Sequence, residues 1–455
     1  MKFRKIGQIS LAAVVSLVFV FGATSCRQDF TEAFVFTVGS QFNQIGSYKE
    51  SDETGALTNA PGSPFGSGGT NPIRIFVLSG GRYLYVLNEG AEQVDGGGNI
   101  TYTGANISLF SIGGSGTLAF QASYTSQGTN TIRILPDSTG KFLFALDTYA
   151  PVTNGAVTPV AKQDAQHPCQ GPNGFYPTGD ITAFSIDPNT GRLAVITNQQ
   201  TQNSNGTQLT YFPVGCAPVD FTVASGFIFT ADAGSATNAD EQTVFPYALN
   251  ATNGQLTTTQ NAPLSTGATN MTAISTAQAS ALSGSKYIYI LDSGQNCPTG
   301  SGQIPPNCSG AILPFTAGTN GSLQALTNGT VNNDSTASRP ISLVVDSKGT
   351  YLFVVNAGPT TGIVNPISQI TGWTIDPTNG TLLHIAGEPF GSGSGVNCIF
   401  EDPSNQYIYT TSFNDSQITG RILDPNSGNL TLLRRGSTFN TVGNPTWCAV
   451  SGRTT

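Results

Sequence analysis

The stretch WTIDPTNGTLL, residues 373–383, consists of an apolar run, a tight turn and a second apolar run. Within the turn, Pro377 fixes its own φ and Gly380 accepts a positive φ. The side chains of Asp376 and Asn379 can bond to the nearby backbone, which also favours a turn. The same arrangement returns twice more in the chain, as FSIDPNTGRLAV at 184–195 and RILDPNSGNLTL at 421–432. A hairpin that is written three times predicts a repeat architecture.

Relaxed copies of this turn raise the count to seven. Each copy has an aromatic-led strand, a turn that ends in glycine, one further residue and a leucine, and the seven glycines are Gly55, Gly116, Gly191, Gly254, Gly321, Gly380 and Gly428. A short aromatic strand, written YLFVVN at 351–356, keeps step with the turn and also occurs seven times. Its alternating side chains suit a strand that is buried on both faces.

A third motif, with a strand and a turn, precedes the aromatic strand, as in PISLVVDSKGT at 340–350. The first repeat lacks this motif, whereas an unpaired copy, PTWCAVSG, stands at 445–452 near the end of the chain. The sequence therefore predicts an all-β, seven-bladed β-propeller with four antiparallel strands per blade, named a to d from the centre outward. The C-terminal strand is predicted to close the ring as strand a of blade 1.

The first residues have the features of an export signal. A positive start that includes Lys2 and Arg4 is followed by an apolar run from Ile9 to Phe21 and by small residues before Cys26. We predict a signal peptide at 1–25, a lipidated tether at 26–32 that begins at Cys26, and a propeller at 33–455. The alternative is an ordinary secretory signal without lipidation. The predicted location is the bacterial cell envelope, with a lipid anchor as the one membrane contact.

The composition and net charge of the chain limit the classes of molecule that it can bind. The formal net charge is −8, and only 10% of the residues are charged. An acidic chain offers no electrostatic surface for nucleic acid. We expect a monomer without a cofactor. The chain has only two histidines and no CxxC pair, so it offers few ligands for zinc and we assign no metal-binding residue, while calcium binding stays open.

Six cysteines remain after Cys26, and an even number in an exported chain predicts three disulfides. We expect the bridges Cys169–Cys216 and Cys297–Cys308, each of which would pin a long loop. A Cys398–Cys448 bridge would lock the ring closure, but the repeat alignment sets these two residues one position apart on their strands, so their pairing stays open.

The repeats differ mainly on one side of the disc. We call the side that carries the b–c and d–a connections the long-loop face, and the side that carries the a–b and c–d turns the turn face. The b–c connection at 148–179 and the d–a connection at 198–215 are among the longest. Long loops on a rigid scaffold commonly bind ligands, so we expect a small-molecule, glycan or protein partner on this face. Neutral variation of surface loops is the alternative.

The strands a should line a central channel. We take the proline of strand a, or the residue aligned with it, as the origin in each blade. The residues two positions after this origin should form a ring, namely Arg74, Arg133, Asp220, Thr272, Ser342, Cys398 and Trp447. Two guanidinium groups, hydroxyls and an indole would suit an anionic or hydroxylated ligand at the channel mouth. We therefore predict that Arg74, Arg133, Thr272, Ser342 and Trp447 bind the ligand. The alternative is that the arginines form ion pairs with Asp220 or other acids in the channel.

PISLVVDSKGTYLFVVN at 340–356, followed by ITGWTIDPTNGTL at 370–382, resembles the propeller lactonases. That family includes 6-phosphogluconolactonase-like and muconate-cyclising enzymes and is related to surface-protein repeats that end in Tyr-Val-Thr-Asn. The resemblance covers residues 30–455 and implies a seven-bladed propeller that hydrolyses a sugar lactone. Many members carry histidines just after the proline of strand a, where this chain has Ile73 and Arg74 or their equivalents.

General-base catalysis on a lactone needs a histidine or a carboxylate that can reach water. Asp220 is the one candidate in the ring, and we predict it as the catalytic residue. Glu401 and Asp402 lie at the far end of strand a in blade 7, and His167 lies in the long loop of blade 3. The chain is therefore either a lactone hydrolase or a non-catalytic propeller that binds a glycan or a protein.

Overall fold

The structure is a computed structural model that describes residues 30–94, 100–151, 170–171, 174–175, 178–199, 202, 206–224, 226–232, 242–259, 264–278, 286–297, 307–327, 329–359 and 367–452. The predicted signal peptide, Cys26, His167 and Cys169 lie outside the described residues. The first described strand begins at Thr31, two residues before the predicted start of the propeller.

Seven four-stranded antiparallel sheets make up the propeller, as the sequence predicted. The innermost strands a, from blade 1 to blade 7, are Pro445–Val450, Pro72–Val77, Thr129–Pro136, Pro218–Ala224, Met271–Gln278, Pro340–Val345 and Val396–Glu401. The strands b are Thr31–Gly39, Tyr83–Asn88, Phe142–Tyr149, Phe227–Asp232, Lys286–Asp292, Tyr351–Asn356 and Tyr407–Ser412. Most residues of the strands b are fully buried, in keeping with their aromatic and β-branched composition.

The outer half of each blade is more exposed. The strands c are Gln44–Ser51, Asn106–Ile112, Thr178–Ile186, Thr243–Leu249, Ala311–Ala317, Ile367–Ile375 and Gln417–Leu423. The strands d are Leu57–Asn59, Leu118–Tyr124, Leu193–Val195, Leu256–Thr258, Leu323–Ala325, Leu382–His384 and Leu430–Leu432. In all blades except blade 2, strand c also pairs with a short extra strand, namely Phe65–Gly66, Phe212–Cys216, Leu264–Ser265, Val331–Asn332, Phe390–Ser394 and Thr438–Asn440.

Two small ribbons project from the long connections. One joins Ala91–Val94 to Ile100–Thr103 in blade 2, and the other joins Gln170–Gly171 to Gly174–Phe175 in blade 3. Among the described residues, we find no helix of the length and apolarity that crossing a membrane requires.

The ring closes between blades 7 and 1. Each strand a contacts the strands a of the two neighbouring blades, so the seven strands form an unbroken inner ring. The C-terminal strand pairs with the first strand of the chain, where Trp447 lies opposite Val38 and Cys448 lies opposite Thr37. The Cys398–Cys448 disulfide joins the neighbouring strands a of blades 7 and 1, with 5.9 Å between the Cα atoms. The predicted closure is therefore both hydrogen-bonded and covalent.

The glycine of each c–d turn packs against the neighbouring blade. Gly380 has a φ of 72°, and a Cβ atom added there would lie 2.4 Å from the Tyr287 ring of blade 5. The other six turn glycines also have positive φ and also lie against the first aromatic ring of strand b in the preceding blade. This close approach explains why the turn is repeated with its glycine unchanged.

The polar residue at the end of strand b holds the d–a connection. In blade 5 this residue is Asp292, which is fully buried and accepts backbone N–H groups from Thr269 at 2.7 Å and Asn270 at 2.8 Å. In blade 6 the equivalent Asn356 accepts a hydrogen bond from Asn333 Nδ2 at 2.7 Å. These residues are therefore structural, although their side chains would also suit a binding site.

The other predicted bridges lie in the long loops. Cys297 and Cys308 form the predicted disulfide in the b–c connection of blade 5. Cys216 is also disulfide-bonded, while its predicted partner, Cys169, lies outside the described residues. The two disulfides indicate an oxidising, exported compartment.

Candidate functional site

Four of the predicted ring residues converge in the central channel. The guanidinium carbon of Arg74 lies 4.0 Å from the centre of the Trp447 ring, and that of Arg133 lies 5.3 Å from it. Arg133 Nε lies 3.1 Å from Asp220 Oδ1. The distance is that of an ion pair, although the Nε–H group is not aligned for a hydrogen bond to a described residue. The Trp447 ring thus contacts both guanidinium groups, and Asp220 neutralises the charge of Arg133.

Asp220 joins three blades. Its Oδ1 accepts the N–H group of Phe221 at 2.9 Å and its Oδ2 accepts that of Ile274, in blade 5, at 3.1 Å. Together with the Arg133 contact, these bonds fix the carboxylate firmly. The contact between Arg133 and Asp220 is therefore the ion pair that the sequence left open as the alternative, and the Asp220 side chain is 11% exposed.

Arg74 keeps its charge in a desolvated position. Burial, followed by repulsion from Arg133, lowers the pKa of Arg74 to about 9, while attraction to Asp220 and Glu89 opposes the shift. The group remains a cation at neutral pH. Its Nη1 donates to Ile73 O at 2.9 Å, and its Nε has no hydrogen-bond partner among the described residues. An incompletely satisfied, half-buried cation next to a channel favours an anionic ligand.

The register corrects the predicted ring at Thr272. In blade 2, Pro72 pairs with Asn88 and, after a bulge, Arg74 pairs with Leu87. In blade 5, Met271 and Ala273 hold the corresponding places, so Ala273, and not Thr272, is the equivalent of Arg74. The sequence placed blade 5 one residue out of step because this strand a begins with methionine instead of proline.

Thr272 occupies the bulge and links two blades. Its Oγ1 lies 3.4 Å from Leu291 O in its own blade and 3.4 Å from Pro340 O in the next. Thr446, at the same position in blade 1, bonds to Val38 O and Pro72 O in the same way. Both hydroxyls are thus engaged in holding neighbouring blades together. Ser342 is in the predicted register and is buried on strand a of blade 6.

A cavity of about 400 Å³ lies on the turn-face side of this cluster. Its walls come from the second halves of strands a in blades 2 to 5 and from the a–b turns, and Arg133 lines it together with Phe76 and Leu135. The hydroxyls of Thr222, Ser275 and Thr276 also line it. Two charged side chains, Arg133 and Asp137, several hydroxyl-bearing residues and apolar walls form a typical small-ligand site.

Sequence reasoning did not find Thr222 and Ser275. Thr222 lies two residues beyond Asp220 and Ser275 two residues beyond Ala273, at the next positions of strand a that face the channel. The predicted ring extended by two residues identifies Thr222, but in blade 5 it gives Ile274 instead of Ser275 because of the register error. Asp137 also lines the cavity, but its Oδ1 accepts N–H groups from Lys141 at 2.8 Å and Phe142 at 2.9 Å, so it stabilises the a–b turn.

Glu401, Asp402 and His384 do not line this cavity. Glu401 accepts the N–H group of Ser347 at 2.7 Å, and burial raises its pKa. Asp402 accepts the N–H group of Tyr407 at 2.7 Å, as Asp137 does in its own turn. His384 is on the outer strand of blade 6, where it contacts Glu388. Among the described residues, no group of three or more His, Cys, Asp or Glu side chains could hold a metal ion.

A second pocket, of about 220 Å³, lies on the long-loop face between blades 2 and 3. The ribbon residues Thr101 and Tyr102 form one wall, and Ser126, Gly128 and Thr131 belong to the facing d–a connection and strand a. Six of its eleven lining residues carry a hydroxyl group. We call it the blade 2–3 pocket.

Solved structures with the same architecture include a candidate 6-phosphogluconolactonase from Bacteroides uniformis, with a TM-score of 0.62, 13% identity and coverage of 92% of this chain and 100% of that one. This chain has the fold of a lactonase-like propeller. The Pseudomonas aeruginosa periplasmic gluconolactonase, PpgL, matches this chain with a TM-score of 0.61 and 15% identity, over 92% of this chain and 99% of that one.

A second candidate 6-phosphogluconolactonase, from Bacteroides fragilis, matches with a TM-score of 0.59 and 14% identity, over 92% of this chain and 98% of that one. No sequence-family description and no curated protein matches the chain. At these identities the comparisons establish the fold of this chain. Its chemistry has to be argued from the residues of this chain.

Proposed function

We propose that this protein is an exported lactonase-like propeller that binds a small hydroxylated anion in its central cavity. The observation that carries the proposal is the position of Arg133 on a 400 Å³ cavity that also presents the hydroxyls of Thr222, Ser275 and Thr276. A guanidinium group suits a carboxylate or phosphate, and the hydroxyls suit the polyol part of a sugar acid or its lactone. Arg74 adds a second positive charge to the same channel.

Hydrolysis of a sugar lactone is the reaction we propose for this site. Each oxygen of Asp220 accepts one backbone N–H group, which leaves lone pairs that can accept a proton from water. Arg133, 3.1 Å from Asp220, would stabilise negative charge that develops on the opening ring. Structures named for 6-phosphogluconolactone and gluconolactone hydrolysis share the fold and suggest these two substrates.

The purified mature protein should be assayed with 6-phosphogluconolactone and glucono-1,5-lactone, and the spontaneous hydrolysis in buffer should be subtracted. We expect turnover that is lost in Asp220→Asn and strongly reduced in Arg133→Gln. Turnover of the wild-type protein no faster than in buffer would refute the hydrolase. Turnover that is unchanged in Asp220→Asn would refute the role of that residue.

The alternative function is binding without catalysis on the long-loop face. The blade 2–3 pocket favours a glycan over a protein, because hydroxyl and amide side chains line a concavity large enough for one sugar ring. Glycan-array binding that disappears in Thr101→Trp, combined with no lactone turnover, would support this alternative. Absence of array binding would remove it.

We also propose that Cys26 carries a lipid that anchors the protein in the cell envelope. The disulfides support an oxidising compartment, and the likeness to a periplasmic gluconolactonase is consistent with it. Labelling of expressing bacteria with a clickable fatty acid should mark the wild-type protein and leave Cys26→Ser unlabelled. Equal labelling of both proteins, or of neither, would contradict the anchor.

A further inference from the structure

Two carboxyl groups face each other at the long-loop end of blade 3. Asp147, in strand b, pairs directly with Asp180, in strand c. Both residues are fully buried. Two adjacent buried carboxylates are costly unless a proton or a cation neutralises them.

The two carboxyl groups differ in their hydrogen bonds. Asp147 Oδ1 accepts hydrogen bonds from Ser126 Oγ at 2.7 Å and from Thr131 Oγ1 at 2.5 Å. Asp180 Oδ1 has no hydrogen-bond partner in the part of the chain that the structure describes. Asp232 Oδ1 also lacks a described partner, but only Asp180 combines an unsatisfied buried oxygen with a second buried carboxyl group directly opposite it, and this combination calls for a neutralising ligand or proton.

The oxygen atoms around the pair have the spacing of a coordination shell. Thr182 Oγ1 lies 3.5 Å from Asp147 Oδ2 and 3.5 Å from Asp180 Oδ2, beyond the usual length of an O–H···O hydrogen bond. Two oxygens that bind calcium at about 2.4 Å and at right angles to each other lie roughly 3.4 Å apart. Thr182 Oγ1 also accepts the N–H group of Gln127 at 2.8 Å, which fixes its position.

The blade 2–3 pocket leads to this pair. Its lining residues Ser126 and Thr131 bond to Asp147, and Gly128 N donates to Asp147 Oδ2 at 3.3 Å. A Cβ atom added to Gly128 would lie 2.1 Å from Asp180 Oδ1. Gly128, which lines the pocket, therefore lies directly against Asp180 Oδ1.

We propose that Asp147, Asp180 and Thr182 form a calcium site at the floor of the blade 2–3 pocket, where water or the hydroxyls of a pocket ligand complete the shell. Carboxylate and hydroxyl oxygens in an irregular arrangement suit calcium better than magnesium, which requires near-ideal octahedral geometry. The rival explanation is a proton shared by the two carboxyl groups. Burial raises the pKa of both groups, and the Asp147 charge raises that of Asp180 further.

Calcium chloride should be titrated into chelator-treated mature protein at pH 7.5, with the heat of binding and the Tm as readouts. We expect one saturable site, a rise in Tm and weaker binding of magnesium chloride. Asp180→Asn keeps the size of the side chain and removes one of two charges, so calcium should bind at least about tenfold more weakly.

Asp232→Asn is the matched control. Asp232 is also buried at the end of strand b, in blade 4, but pairs with Thr243 instead of a second carboxyl group. This variant should keep the calcium affinity of the wild-type protein. Calcium binding that Asp232→Asn loses as fully as Asp180→Asn would overturn the site.

Terbium chloride gives a second test that needs no variant. Tyr102 lines the blade 2–3 pocket, and the backbone carbonyl of Tyr149 lies against Gly128 at the same place. Tyrosine excitation of the wild-type protein should produce terbium luminescence that calcium chloride displaces. The absence of both luminescence and a calcium-induced rise in Tm would show that the pair shares a proton instead.

Discussion

The hydroxyl of Tyr289 donates a 2.9 Å hydrogen bond to the carbonyl oxygen of Gly380, which lies in the next blade. Tyr85 and Tyr409 bond in the same way to Gly191 and Gly55. The turn that repeats along the sequence is therefore also a contact between blades. The first predictions concern this contact.

Tyr289→Phe should lower the free energy of unfolding by about 1 kcal/mol, because it leaves a buried carbonyl oxygen without its donor. Tyr287→Phe is the matched control on the same strand. The Tyr287 hydroxyl is buried without a hydrogen-bond partner among the described residues, so its removal should be neutral or slightly stabilising. Urea unfolding measures both effects, and equal losses would contradict the contact.

Gly380→Ala should destabilise the protein by about 2–4 kcal/mol, since it combines a positive φ with overpacking against Tyr287. Gly387→Ala separates the two causes. Gly387 has a φ of 89°, but an added Cβ atom there would approach only Asn429, at 4.0 Å. Gly387→Ala should therefore lower the free energy of unfolding by only about 1–2 kcal/mol, because of its strained backbone conformation. A Gly387→Ala loss as large as that of Gly380→Ala would exclude the packing contribution.

Replacement of Cys398 and Cys448 by serine should cost about 2–4 kcal/mol, because the bridge restricts the unfolded chain across 50 residues of sequence and closes the ring. Replacement of Cys297 and Cys308, which lie 11 residues apart, should cost less because the loop is shorter. Thermal unfolding of the two double variants under the same conditions tests the order. A lower Tm for the Cys297/Cys308 variant would contradict it.

Asp232 should make stability depend on pH. Burial raises the pKa of Asp232 to about 8, so the folded protein holds this proton more tightly than the unfolded chain does. Between about pH 4 and pH 8 the folded state binds more protons at this site, and its stability falls as the pH rises. The Asp232→Asn variant has no carboxyl group at this position, so it does not lose stability in this way as the pH rises. Its Tm relative to the wild-type protein should therefore increase from pH 5 to pH 8.5.

Asp187→Asn is the control for this pH dependence. The Asp187 carboxylate is exposed in a c–d turn, where backbone hydrogen bonds lower its pKa. Such a group contributes stability above its ordinary pKa and loses it only in acid. The Tm difference between this variant and the wild-type protein should be constant from pH 5 to pH 8.5. A constant difference for Asp232→Asn as well would contradict a buried, proton-binding carboxyl group.

The sequence predicted the fold because the repeat encodes local features. Turn glycines such as Gly380 and aromatic strands such as 351–356 can be counted without knowledge of side-chain packing. The ring closure was predictable for the same reason, since the unpaired motif at 445–452 fits the one incomplete blade.

The candidate site was less predictable, because it depends on packing. The stacking of Arg74 on Trp447 and the pairing of Arg133 with Asp220 both cross between blades. Thr272 was placed in the wrong register because strand a of blade 5 begins with Met271, where four other blades have proline. The sequence also directed attention to the long-loop face, whereas the larger cavity lies on the turn-face side of the arginines. Which end of a channel is filled depends on side-chain volumes, and the repeat does not encode them.

The most direct test of the account is the calorimetric affinity of 6-phosphogluconate for the wild-type protein, Arg133→Gln and Arg192→Gln. Arg192 is exposed on a c–d turn and serves as the control for lost charge. We predict measurable binding that weakens by about 10- to 100-fold in Arg133→Gln, the cost of one charge-assisted hydrogen bond, and is unchanged in Arg192→Gln. Equal affinity in the wild-type protein and Arg133→Gln, or no binding to the wild-type protein, would contradict the account.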